Sequence, residues 1–348
     1  MRFHRIHNPK SIDEEMIAAL ISSGAQEIVL QFAEEADYSP SLLDAINTAC
    51  KRFGSRLTVR FYGHYSNGGG FNCSWLRYLS DVRSLSLDCL RNIEGANRIA
   101  ELEHLDAFAF GVFESNIPEL LRYPSLARLH KLGLSTTRKN NIDLAPLGTY
   151  QRLEELFLNA HARNIATLGD LTSIQRLSLS QIAKSVSLRF VGRMEGLRSL
   201  TLLLGGRTSA EELAHPKVTH LEVLRVRGLA EIDLSAFPQL QVLHIGDQLQ
   251  LRSLELNTGT LIRWLSIWNC KNLSSLLGLG RAVALNSLSL GRTSVEPDSV
   301  LNNAPSSLKC LIIAGYGRRR DEELENRIRS KGYTPEISEP DIGGERRD

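Results

Sequence analysis

The chain has 348 residues, 42% of them hydrophobic, with 41 Lys and Arg against 39 Asp and Glu and a net charge of +2. That balance provides no global attraction to nucleic acid or an acidic membrane, and no apolar run approaches the roughly 20 residues of a spanning helix. The five cysteines (Cys50, Cys73, Cys89, Cys270 and Cys310) are odd in number and scattered, which argues against a disulfide framework and, with no signal-peptide pattern, for a cytoplasmic chain.

In chain order, Ser11 with Glu14 reads as a capping box opening an amphipathic helix that Gly24 closes. Ile28–Phe32 has strand composition. Ser39-Pro40 starts a second helix, with Leu42, Leu43, Ile46, Ala49, Cys50 and Phe53 on its apolar positions and Gly54 as its stop. Leu57–Phe61 is the next strand. The glycine-rich run from Gly63 to Cys73 follows no nucleotide-binding spacing and is expected to be a mobile surface loop.

Beyond residue 80 an L-x-x-L-x-L pattern returns with first positions at Val82, Leu102, Leu129, Leu153, Ile174, Leu197, Leu221, Leu240, Ile262, Leu285 and Leu308. Successive first positions differ by 20, 27, 24, 21, 23, 24, 19, 22, 23 and 23 residues. Positions four and six alternate with exposed residues, as a strand with one buried face requires. A lone strand of this kind cannot bury its apolar face, so neighbouring units must stack and share a core. Leu251-Leu254-Leu256 falls midway between two motifs and is placed on the return side as extended chain, with Ile232-Asp233-Leu234 one coil earlier. Ser115–Tyr123 and Ala210–Leu213 read as helical or turn returns. Asp321–Lys331 is a helix pattern with Leu324 and Ile328 on one face and Glu323/Arg327 and Glu325/Arg329 as i, i+4 pairs.

This pattern resembles that of leucine-rich repeat proteins over roughly residues 80 to 315. The resemblance implies an α/β solenoid: a curved parallel sheet on the concave face, mixed helical and extended returns on the convex face, and helical caps at both ends. On that reading residues 1–80 are capping α/β coils (or a small separate α/β domain), 81–315 the repeat array, 316–337 a capping helix and 338–348 a disordered tail. The family generally places Asn or Cys at position nine. Here that position holds Leu90, Thr137, His161, Ile182, Gly205, Leu229 and Gln248, and only Cys270 agrees. Together with the steps of 27 and 19, this predicts irregular coils.

Positions three, five and seven of each motif are expected to point outward on one face. On the coil from Leu221 these are Val223, Arg225 and Arg227, on the coil from Leu102 they include Phe108, and on the coil from Leu153 they include Phe157. Arg225, Arg227, His244, Trp264 and Trp268 would then cluster on three neighbouring coils, with both tryptophans exposed. Trp and Arg dominate interface hot spots, so these five and Phe157 are the candidate partner-binding residues. The competing reading is that each tryptophan folds over a neighbour and shields the strand surface. No zinc-ligand, nucleophile-elbow or Walker-type spacing occurs, so neither a catalytic residue, a metal nor a cofactor is expected. The expected function is non-catalytic capture of a protein partner, with inhibitor or toxin-neutralising roles implied by the family. The alternative is a receptor for a small molecule, carbohydrate or nucleic acid through the Trp/Arg patch.

Overall fold

The computed structural model describes residues 3–205, 212–226, 228–256 and 259–335. The chain divides after Ile174 into two compact units.

In the first unit, seven parallel strands line one sheet in the order β1 (Phe3–His7), β2 (Glu27–Phe32), β3 (Leu57–Gly63), β5 (Ser84–Leu90), β7 (Ala107–Val112), β8 (Lys131–Leu134) and β9 (Glu155–Asn159). Two short strands, β4 (Gly70–Asn72) and β6 (Asn92–Glu94), pair separately on the return side. Strand β1 has no motif of its own; it joins β2 in parallel through Phe3 opposite Glu27 and His7 opposite Gln31.

Helix α1 (Glu14–Ser22) is capped by Asp13, whose carboxylate accepts from the Met16 amide, and not by Ser11. Asp13 wins because only the residue directly before the first helical turn can reach its free amides. Helix α2 (Pro40–Phe53) starts at Ser39, which accepts from the Leu42 amide, and buries Leu42, Leu43, Ile46, Ala49 and Cys50.

The Gly63–Cys73 run is a built element and not a mobile surface loop. His64 is fully buried, with Nε2 at 2.9 Å from the Tyr38 hydroxyl and Nδ1 at 2.8 Å from the Tyr62 carbonyl. Phe71 and Cys73 are also fully buried, and the Phe71 ring stacks on Phe61 with centroids 4.5 Å apart. Glycine content suggested an open loop; the aromatic residues between the glycines instead provide a core for it to fold onto.

In the second unit the sheet order is β10 (Arg176–Ser180), β11 (Ser199–Leu203), β12 (His220–Leu224), β13 (Val242–Gly246), β15 (Trp264–Trp268), β17 (Ser287–Gly291) and β18 (Cys310–Ala314). On its return side β14 (Ser253–Glu255) pairs with β16 (Ser275–Leu277), and Leu254 is buried there. The stretch around Ile232 is not a strand: Asp233 caps a 3-10 turn that begins at Leu234.

Two coils sit three residues away from the sequence-derived register. Leu85 pairs with Phe108 and Leu87 with Phe110, so the second motif is Leu105-Phe108-Phe110. Leu200 pairs with Leu221 and Leu202 with Val223, so a later one is Val218-Leu221-Val223. The steps of 20 and 27 become 23 and 24, and those of 24 and 19 become 21 and 22. The coils are therefore regular.

A repeated backbone device fixes that register. The carbonyl of position two accepts from two amides of the next coil: Arg83 from Asp106 and Ala107, Arg198 from Thr219 and His220, and Thr219 from Gln241 and Val242. The ambiguity has a physical cause. Three residues before most first positions lies another buried residue, such as Leu79, Leu102, Leu126, Met194 or Phe237, so the apolar spacing of three continues backward. At Val218 that slot holds His215, which breaks the apolar pattern but fits because Nε2 bonds the Met194 carbonyl and Nδ1 accepts from the Lys217 amide. At position nine His161 and Gln248 are buried without an asparagine ladder. Gln248 donates to the Val223 and Gly246 carbonyls, and His161 Nε2 lies 3.0 Å from the Ser135 carbonyl oxygen.

Helix α3 (Pro297–Asn303) lies on the return side. Helix α4 (Arg318–Ser330) packs on β18 and buries Leu324 and Ile328. The Glu325–Arg329 pair forms at 2.8 Å. Glu323 pairs with Arg319 instead of Arg327, which bonds Asp298. Ala210 and the 338–348 tail lie outside the described residues.

Candidate functional site

The outward rows of the first unit are tied up internally. Arg60 forms a two-point pair with Asp88 through Nε at 2.6 Å and Nη2 at 3.2 Å, and reaches Gln31 through Nη1 at 3.0 Å. The Thr58 hydroxyl lies 2.7 Å from that of Ser84, and Lys131 pairs with Glu155 at 3.8 Å. Phe157 points outward from β9 and is half-buried.

In the second unit the corrected register moves several expected site residues. Val223 is core, as is Phe108 in the first unit. Arg225 leaves the sheet: it occupies position eight of its coil, just past β12, with φ of 51°. Arg227 lies outside the described residues. The slip of three, like a slip of one, exchanges the two faces of a strand because the side-chain period is two.

Trp264 is not exposed. It retains only 5% of its surface, and its ring centroid lies 6.2 Å from that of His244 on the neighbouring strand. Its indole N–H has no acceptor among the described residues. Trp268 is the exposed one, at 38%, and its Nε1 donates to the Ser289 hydroxyl at 3.1 Å. The shielding reading thus fits Trp264, whereas Trp268 remains available on the surface.

What places Trp268 is the glycine beside it. A Cβ on Gly291, opposite Trp268 on β17, would overlap the indole ring. The ring therefore lies flat across the next strand. One coil pair earlier, Leu224 leans over Gly246 in the same way, with a Cβ there 2.7 Å from its Cδ2. Position seven consequently forms an apolar row, half-buried at Leu203 and Leu224 and open at Trp268.

Along the edge of this row runs position eight. Gln181, Arg225, Asp247, Asn269 and Arg292 all have left-handed backbone, with φ between 51° and 56°. Each of the last four donates its amide to the position-seven carbonyl of the following coil: Arg225 to Gly246, Asp247 to Trp268, Asn269 to Gly291 and Arg292 to Ala314. The left-handed turn is what aims these amides along the sheet while the chain leaves it. Asp247 accepts from Asn269 on one oxygen and from Arg225 Nε at 3.0 Å on the other. These two bonds, Asn269 foremost, hold its carboxyl below the ordinary carboxylate range. The sequence pattern does not mark Leu224, Asp247, Asn269 and Arg292 as site residues, because Leu224 falls on a core position in the register from Leu221 and position eight lies beyond the alternating strand positions.

Cys270 is fully buried and burial pushes its thiol up to about 11, so it is a protonated core side chain. Among the described residues, no three His, Cys, Asp or Glu side chains gather as a metal ion requires, and no helix is long and apolar enough to cross a membrane.

No protein-family model and no curated protein matches the sequence. Among solved structures, the fold is similar to that of a chain in the Toll–Spatzle complex of Drosophila, with a TM-score of 0.55 and 14% identity. That match covers 90% of this chain and 47% of the other, so this chain spans about half its length. An internalin (inlF) of Listeria monocytogenes aligns 84% of this chain with 80% of its own, at 17% identity and a TM-score of 0.46. A leucine-rich repeat protein of Leptospira interrogans aligns 93% with 91%, at 16% identity and a TM-score of 0.41. The stacked parallel strands, the doubly used position-two carbonyls and the buried motif positions make this a leucine-rich repeat fold.

Proposed function

We propose that this leucine-rich repeat chain is a non-catalytic binding protein that docks a protein partner on the sheet face of its second unit, centred on Trp268. The observation that carries this reading is the placement of Trp268. A large aromatic side chain is 38% exposed yet held flat by Gly291 and by a bond to Ser289. A pre-oriented aromatic of this kind loses little conformational entropy on binding, which is the property of a hot-spot residue. Leu224 extends the apolar contact, and Arg225 with Asp247 supplies a polar rim.

The Toll–Spatzle complex, whose fold is similar, is itself an assembly of proteins. Occlusion of the partner, as an inhibitor or toxin-neutralising protein, is the finer form of the proposal. We also place the chain in the cytoplasm, because its five cysteines are free and three of them are buried as thiols.

The test is affinity capture with the full chain beside Trp268→Ala, both checked for folding by circular dichroism. A protein held by the first form, and weakened by about 2 kcal/mol or more in the second, supports the reading. Equal capture by both forms removes this surface.

A further inference from the structure

Resting on the docking reading above, we propose that the occupant of the Trp268 surface is an acidic segment of a protein, extended across the strands with an apolar side chain between two carboxylates. The position-eight row carries two guanidiniums and one carboxylate. The carboxylate, Asp247, is already engaged on both oxygens by Asn269 and Arg225.

The guanidiniums are not used up. Arg225 employs only Nε on Asp247, leaves its terminal nitrogens without a partner among the described residues, and has a side chain 70% exposed. Arg292 is exposed and makes no ion pair among the described residues. Gly315 lies against it, where a Cβ would come within 2.6 Å of both the Arg292 amide nitrogen and Cγ. Both arginines sit on left-handed backbone, where Gly, Asn or Asp would be the less costly occupants. The turn itself does not call for arginine.

Strand β12 carries one acidic side chain, Glu222. It sits on the position-five row, where it accepts from the Thr201 hydroxyl at 3.1 Å, and not on the row of the arginines.

The spacing specifies the ligand further. Arg225, Asp247, Trp268 and Arg292 belong to four successive coils, so the two arginines lie about three strand spacings, or roughly 14 Å, apart. An extended peptide places residues i and i+4 on one side at roughly the same distance. A segment with acidic residues at i and i+4 and an apolar residue at i+2 therefore sets each carboxylate on a guanidinium fork and the apolar group beside the indole. Fork-shaped donors take carboxylates at two points.

The experiment is panning of a random twelve-residue phage-displayed library on the full chain, followed by titration of the enriched peptides. The proteins titrated are wild type, the double variant Arg225→Gln/Arg292→Gln, and Trp268→Ala. The expected result is enrichment of two acidic residues four apart around an apolar one, with binding at least about ten-fold weaker to the double variant and weakened by added salt. Enriched peptides without acidic residues, or equal binding to the double variant, would overturn the acidic assignment. If those peptides still lose affinity in Trp268→Ala, the docking surface stands and only the ligand class fails. A library that yields no binder, or binding replaced by a short oligothymidylate, counts against the acidic segment.

Discussion

At the scale of single residues, the second unit depends on pairing a large side chain with a glycine on the next strand. Trp268 over Gly291 and Leu224 over Gly246 are the two cases on the sheet face among the described residues. Gly291 does not have a left-handed backbone, so a methyl group there is tolerated by the chain and rejected only by the indole. Gly291→Ala is therefore expected to lift Trp268 from the sheet and break its bond to Ser289, at a stability cost of about 1–2 kcal/mol. A red-shifted and more readily quenched tryptophan emission, compared with Trp268→Phe as the blank, checks this. An unchanged spectrum would mean that the indole is not held by the glycine. The same residue-level logic separates the two tryptophans, since Trp264 opposes Ser287 and not glycine and is covered instead beside His244.

At the scale of elements, the first helix shows how a plausible sequence signature is displaced by one geometrically better placed residue. Ser11 and Glu14 have capping-box spacing, yet Asp13 has the extended backbone of a cap and its Oδ1 lies 2.9 Å from the Met16 amide. Asp13→Ala should cost about 1 kcal/mol of stability, and Ser11→Ala should cost nothing measurable. Urea titrations of both variants decide between the two caps; a loss confined to Ser11→Ala would make Ser11 the cap. At the other end, α4 covers the last strand with Leu324 and Ile328. Its exposed Glu325–Arg329 pair adds a few tenths of a kcal/mol at most.

At the scale of the whole molecule, buried neutral histidines set a pH limit. His64, His161 and His215 are essentially without exposure, and burial lowers the pKa of each below the ordinary histidine value of 6.5. In His64 and His215 one ring nitrogen donates to a carbonyl while the other is placed to accept, from Tyr38 and from the Lys217 amide. On His215 a second proton would face the Lys217 amide, a fixed donor. With folded-state pKa values depressed, the unfolded chain takes up more protons as pH falls through about 6.5, so stability is complete above that value and declines below it. The urea midpoint should fall between about pH 7 and about pH 5.5. A midpoint constant over that range would show that these rings are not buried neutral. Glu34 and Asp143, whose pKa values are lowered chiefly by side-chain hydrogen bonds from Ser66 and Asn164, lose their contribution only at lower pH, below the ordinary carboxylate range.

The amino-acid sequence by itself determined the repeat, the helices at both ends, the return-side position of Leu254 and the solenoid class. Each of these follows from local spacing of apolar residues and from turn chemistry that acts over a few neighbours. Only the tertiary structure decided register in two coils. Leu102, three residues before Leu105, and Leu221, three residues after Val218, are equally good starting points locally, and pairing across strands alone distinguishes them. It also decided which tryptophan is exposed and brought Arg225 and Arg292 into one row beside Trp268. Residues separated by a full coil meet through backbone hydrogen bonds between neighbouring turns, and no pattern within a single repeat contains that information.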